Sequence, residues 1–299
     1  MSERDVQTIA TGFTFTECPR WHDERWWFVD FYTHRILSMR ADGSDLRTEV
    51  EVPQRPSGLG WLPDGTLLFV SMRDRRVMRK DSDGSVSVHA DLSRLAAGYL
   101  NDMIVDAQGR AYVGNFGFDL TSGADIDLAA LIRVDTDGTA TAVAHDLWFP
   151  NGMAITDDGS TLLVNETFGG RVSAFDIGAG GALGERRDWA KFSELPQTRS
   201  FEAARSQLVV EPDGCGLDAQ GRLWVADAMG GRALLVAEGG DVEDEIPAGT
   251  GVFACMLGGP DGHDLFLSCA PDYDEHKRSA AREATVKIVR AEVPHGGRP

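Results

Sequence analysis

Four residues stand where they could gather oxygen donors around one point: Glu17, Asn101, Asn151 and Asp213. Two carry carboxylates and two carry carboxamides. Such oxygens are the ligands of hard divalent cations, Ca2+, Mg2+ and Mn2+ first, with Zn2+ and Fe2+ reachable through the carboxylates. Carboxylates drawn together away from water repel one another, and a divalent ion removes that repulsion. The expected cofactor is therefore one divalent metal ion, with Ca2+ foremost. No histidine shares the register of these residues, which argues against a dedicated zinc or copper site.

The register itself comes from an internal repeat. An apolar stretch runs into an Asp/Gln-Gly turn, and a second apolar stretch ends near Asp, Asn or Ser. The clearest copies are Ile104-Val105-Asp106-Ala107-Gln108-Gly109-Arg110 and Gly216-Leu217-Asp218-Ala219-Gln220-Gly221-Arg222. Looser copies turn at Gly65, Gly159 and Gly262, and Arg25 holds the equivalent first place. Counting eight residues back from each turn gives Glu17, Ser57, Asn101, Asn151, Asp213 and Ala254. Asn-Gly and Asp-Gly are also ordinary turn dipeptides. What points to chemistry is four oxygen donors at one position of different repeats.

Short strands joined by Gly/Asp turns, repeated six times as small meanders, predict an all-β six-bladed β-propeller spanning residues 1–299 as one domain. The equivalent positions then begin the innermost strands and ring the central channel. Ring closure places the segment around Val6 to Ala10 on the last blade. Short helical turns are expected only within 85–100 and 119–130, and Asp188 to Ser206 reads as a polar loop able to cover one face.

Composition excludes several function classes. The formal net charge is −18, which repels a phosphate backbone or an anionic membrane surface. Neither nucleic acid nor membrane is an expected partner. No basic-then-apolar leader opens the chain and no apolar run is long enough to span a bilayer, so a cytoplasmic protein is expected. Cys18, Cys215, Cys255 and Cys269 form no C-x-x-C pair, and free cysteines of this kind read as small buried hydrophobes. Ser57 lacks a G-x-S-x-G setting.

The motifs Glu17-Cys18-Pro19-Arg20-Trp21, Asn101-Asp102, Phe149-Pro150-Asn151-Gly152-Met153, Pro212-Asp213-Gly214 and Gly221-Arg222-Leu223-Trp224-Val225 together resemble the senescence marker protein / gluconolactonase / luciferin-regenerating enzyme family, which includes regucalcin. The resemblance implies a divalent metal held by Glu17, Asn151 and Asp213. It also implies hydrolysis of a small-molecule lactone or ester, with Asp213 as catalytic base and Asn101 contacting substrate or water. Where sugar-lactonase members carry an arginine two residues before the first asparagine, this chain has Tyr99. Tyr99, with Trp148 and Phe149 beside Pro150-Asn151, is expected to line the entrance and to favour a lactone less polar than a sugar lactone. The alternatives are a sugar (aldono)lactonase and a non-catalytic propeller that binds calcium or a partner.

Overall fold

Each repeat is set by its first turn. The Asp106 carboxylate accepts the backbone N–H groups of Gln108 and Arg110, each at 2.9 Å. Gly109 supplies the left-handed backbone that this reversal needs, at φ 83°. Asp218 does the same for Gln220 and Arg222, at 2.9 and 3.0 Å. Each aspartate then pairs with the arginine four residues on.

The computed structural model describes residues 4–299. They form six four-stranded antiparallel sheets whose innermost strands are Thr16–His22, Pro56–Trp61, Leu100–Val105, Pro150–Ile155, Pro212–Leu217 and Gly251–Gly258. Each inner strand touches the next, and the last touches the first, so the sheets close into a ring. The fold is a six-bladed β-propeller. Neighbouring inner strands approach so closely that a Cβ on Gly152 would lie 2.5 Å from the Asp213 carbonyl oxygen. Aromatic side chains fill the gaps between blades: Trp26, fully buried, packs at 5.0 Å on Phe266 of blade six, and Trp27 meets Trp61 of blade two at 5.4 Å.

Five blades are meanders of consecutive strands. The sixth takes its outer strand from the start of the chain, where Gln7–Phe13 pairs antiparallel with Ala284–Arg290. The expected closing strand is thus present and runs three residues further.

The helical expectation needs correction. Val86–Asp91 is the outer strand of blade two, with Val86, Val88 and Ala90 alternating at the two-residue period of a strand. Within 119–130 only Leu120–Ser122 makes a single 3-10 turn, capped by the Asp119 carboxylate. The two α-helices among the described residues lie in the long connections: α1 at Phe201–Arg205 and α2 at Glu275–Ala281. The start of the expected covering loop also moves, because Arg187–Lys191 is the outer strand of blade four. No helix among the described residues is long and apolar enough to cross a membrane.

Candidate active site at the channel mouth

Glu17, Ser57, Asn101, Asn151 and Asp213 each stand second in their inner strand. Just beyond each of them the pairing with the second strand slips, between Glu17 and Arg20, Pro56 and Leu59, Leu100 and Met103, Pro150 and Met153, and Pro212 and Cys215. Bulges of this kind bend a strand and re-aim its side chains. The repeat therefore places the donors and the bulge turns them. In blade six the strand is longer, Ala254 falls fourth, and the neighbouring Phe253 reaches the cavity instead.

Glu17, Asn101, Asn151 and Asp213 come together on one cavity of about 420 Å3 at the channel mouth. Ser57 is not among its lining residues, and its hydroxyl lies 3.5 Å from the Cys18 sulfur. Both carboxyls are buried. Burial, then the charge of Asp213, then that of Asp102 push the Glu17 carboxyl well above its ordinary range. Burial, then Glu211 and Asp102 push Asp213 up likewise, against a hydrogen bond from Asn151. Neither has an ion-pair partner among the described residues. Arg20, whose charge acts on Glu17, is occupied by the Asp102 carboxylate at 2.7 Å and by the carbonyls of Pro19, Leu59 and Met103.

The carboxamides are steered through their nitrogens. Asn101 Nδ2 donates to the Pro150 carbonyl at 3.2 Å, and Asn151 Nδ2 donates to Thr167 Oγ1 at 3.1 Å. Thr167 in turn donates to the Pro212 carbonyl at 2.9 Å. Their carbonyl oxygens stay free to act as ligands or acceptors. No group of three or more His, Cys, Asp or Glu able to hold a metal occurs among the described residues. An ion at this floor would rest on two carboxylates and on carboxamide oxygen, a donor set suited to a hard divalent cation.

Above the floor the walls are aromatic. Phe149 stacks on Phe116 at 4.5 Å and packs on Phe168 at 4.6 Å, and all three line the cavity. Of the three residues expected at the entrance, only Phe149 lines it. The Trp148 backbone N–H is held at 2.7 Å by the buried Glu166 carboxylate, and its ring carries Arg199 at 4.3 Å. Tyr99 lies behind Phe116, 6.1 Å between ring centres, with its carbonyl bonded to the Phe116 N–H. Neither Trp148 nor Tyr99 is a lining residue.

The sequence pattern does not single out Arg55, Arg205 and Glu211, which do line the cavity, together with the rim from Tyr273 to His276. Arg205 pairs with Glu211 at 2.7 Å and 3.0 Å. A signal exists for two of them. Arg55 and Glu211 each stand two residues before a ring position, as Phe149 does. Arg205 and the rim belong to connections that carry no repeat. The cysteines offer no nucleophile, since burial pushes the thiols of Cys18, Cys215, Cys255 and Cys269 upward, the last to about 12.

Comparison with known proteins agrees with this geometry. The family model described as SMP-30/Gluconolactonase/LRE-like region matches residues 15–271. The chain is 28% identical over 308 residues to pentonolactonase XacC of Haloferax volcanii, covering 98% of this chain and 96% of that protein. Among solved structures, a luciferin-regenerating enzyme superposes with a TM-score of 0.79 at 19% identity, over 98% of both chains. The calcium-binding protein regucalcin of Agrobacterium tumefaciens does so with a TM-score of 0.74 at 18% identity, over 97% of both. The family model spans all six inner strands of the propeller: the protein belongs to the SMP-30/gluconolactonase/LRE-like family.

Proposed function

We propose that the protein hydrolyses a lactone whose body is less polar than an aldonolactone, with a divalent ion, Ca2+ foremost, at the channel mouth. One observation carries the reading. Two buried carboxylates without ion-pair partners share the floor of a cavity walled by aromatic rings. The family and the pentonolactonase relative supply the reaction class.

Glu17, Asn151 and Asp213 would hold the ion, and their all-oxygen chemistry fits it. Bound there, the ion would supply Lewis acidity toward the ester carbonyl. Asp213 takes the proton of the attacking water as general base. Water adds to the carbonyl carbon, the ring C–O bond breaks, and the proton passes to the departing alkoxide. One lactone and one water become one hydroxy acid. Asn101, fixed through its nitrogen on Pro150, presents its oxygen to the water or to a substrate hydroxyl. The Phe116, Phe149 and Phe168 wall excludes water from the apolar part of the ligand.

A second reading, an aldonolactone as substrate, is favoured by the name of the pentonolactonase relative. One experiment separates the two. Hydrolysis of dihydrocoumarin, a δ-alkyl lactone and gluconolactone is followed with and without chelator, correcting for spontaneous opening. The expected outcome is a higher kcat/KM for the first two and loss of all activity on chelation, restored by divalent ion. Preference for gluconolactone selects the aldonolactone reading, and full activity after chelation removes the metal.

A further inference from the structure

The geometry points to Arg55 as the residue that selects the substrate, by binding a ring hydroxyl on the blade-two side of the cavity. The inference rests on the lactone reading and adds to it a substituent: an apolar body bearing a hydroxyl on one edge.

The repeat puts one residue of each blade two positions before the ring, and in blades two and four it is treated alike. Arg55 precedes Pro56 with φ 71°, and Phe149 precedes Pro150 with φ 63°. A left-handed backbone is costly for a residue with a side chain, and a following proline adds to the restriction. Such strain is retained where the side chain it aims has a use. Phe149 is aimed at the cavity, and so is Arg55. The cation absent at residue 99 is thus present in the same register one blade earlier.

Arg55 is buried and pre-positioned. Its guanidinium lies 5.0 Å from the Tyr32 ring centre and 6.0 Å from that of Phe31, both of which line the cavity. Its Nη2 donates to Glu275 at the start of α2, and Arg73 donates to the same carboxylate at 3.0 Å. The Arg55 Nε–H meets no acceptor among the described residues. A guanidinium carries five N–H donors, so a ligand oxygen finds donors to spare.

The chemistry of the ligand follows from charge. Five carboxylates line the cavity (Glu17, Glu211, Asp213, Asp274, Glu275) against two guanidiniums, Arg55 and Arg205. Arg55 already faces Glu275, which disfavours an anionic substituent. A hydroxyl suits the pair, because it accepts from the guanidinium and donates to the carboxylate at once. The rings of Phe116, Phe149 and Phe168, which also line the cavity, carry no polar group of their own.

The test compares kcat/KM for γ-butyrolactone with that for its α-hydroxy and β-hydroxy derivatives. The native protein is expected to prefer one hydroxylated lactone about tenfold or more, through KM, as for a hydrogen bond to a charged group. Arg55→Met should bring that ratio to within about twofold. Glu275→Gln, which weakens the acceptor of the pair, should lower the ratio less than Arg55→Met does, and Arg55→Lys, which keeps the charge but not the fork of donors, should also lower it and serves if Arg55→Met does not fold. If Arg55 merely ties α2 down, Glu275→Gln alters the ratio as much as the Arg55 variants do, or the Arg55 variants leave it as in the native protein, and the inference is wrong. A native ratio near one also overturns it while leaving the lactone reading intact. Failure of the native protein to open any of the three lactones removes both.

Discussion

Floor and walls of the cavity are set at the starts of the same inner strands but follow different rules. The floor repeats one position around the channel, and its chemistry is constrained: every lining member offers oxygen, and its two carboxylates have no ion-pair partner among the described residues. The walls use the position two residues earlier, where Phe15, Arg55, Phe149 and Glu211 all reach the cavity with unrelated side chains. Loops outside the repeat complete them. A propeller can therefore keep its reaction while changing its substrate, because one is written in the strand and the other in the residue just before it.

The largest effect belongs to the floor. Asp213→Asn should lower kcat by about 10^2- to 10^4-fold, the range ascribed to general acid–base catalysis, and it should do so for every lactone that the protein opens. A loss confined to one substrate would mean that Asp213 belongs to the walls in function, and the comparison would fail.

A smaller effect is expected in stability. A divalent ion that binds only the folded protein, at about one hundred times its Kd, adds about 2.7 kcal/mol. A thermal scan with and without ion reads this as a rise in Tm. In the double variant Glu17→Gln, Asp213→Asn the response should vanish, and the ion-free protein should be no less stable than the native one, since the two buried charges are gone. An undiminished response in that variant would place the ion elsewhere.

The smallest effect lies in the apolar wall. Phe149→Leu keeps the wall closed but removes the aromatic pairs with Phe116 and Phe168, each worth about 0.5–1.5 kcal/mol. It should raise KM for dihydrocoumarin by about 2- to 10-fold relative to a δ-alkyl lactone. Equal changes for both would show that the ring is felt only as bulk.

Much of the floor is legible in the sequence, and the reason is geometric. A repeat fixes equivalent positions by counting, and Glu17, Asn101, Asn151 and Asp213 are found by that count alone. The bulges that aim them leave no mark in the residue types. The walls are half legible. Counting ten back from the turns instead of eight reaches Phe15, Arg55, Tyr99, Phe149 and Glu211, yet the count does not tell that Tyr99 alone of these five stays out of the cavity. Arg55 and Phe149 turn inward with left-handed backbones, while Tyr99 stays behind Phe116. Trp148 misleads because only its neighbour Phe149, on a left-handed backbone, lines the cavity, while the Trp148 ring packs under Arg199. Arg205 and the α2 rim come from insertions, where no period exists to count.

The closure of blade six has a consequence for synthesis. Gln7–Phe13 leaves the ribosome early, and its partner Ala284–Arg290 follows some 270 residues later, about 15 to 55 s at roughly 5–20 residues per second. For that whole interval the first strand has no mate, and five blades must stack before it can dock. An unmated strand can pair with another chain. The segment Gln7-Thr8-Ile9-Ala10-Thr11-Gly12-Phe13 carries few large apolar groups and a glycine near its end, a composition suited to a strand that has to wait.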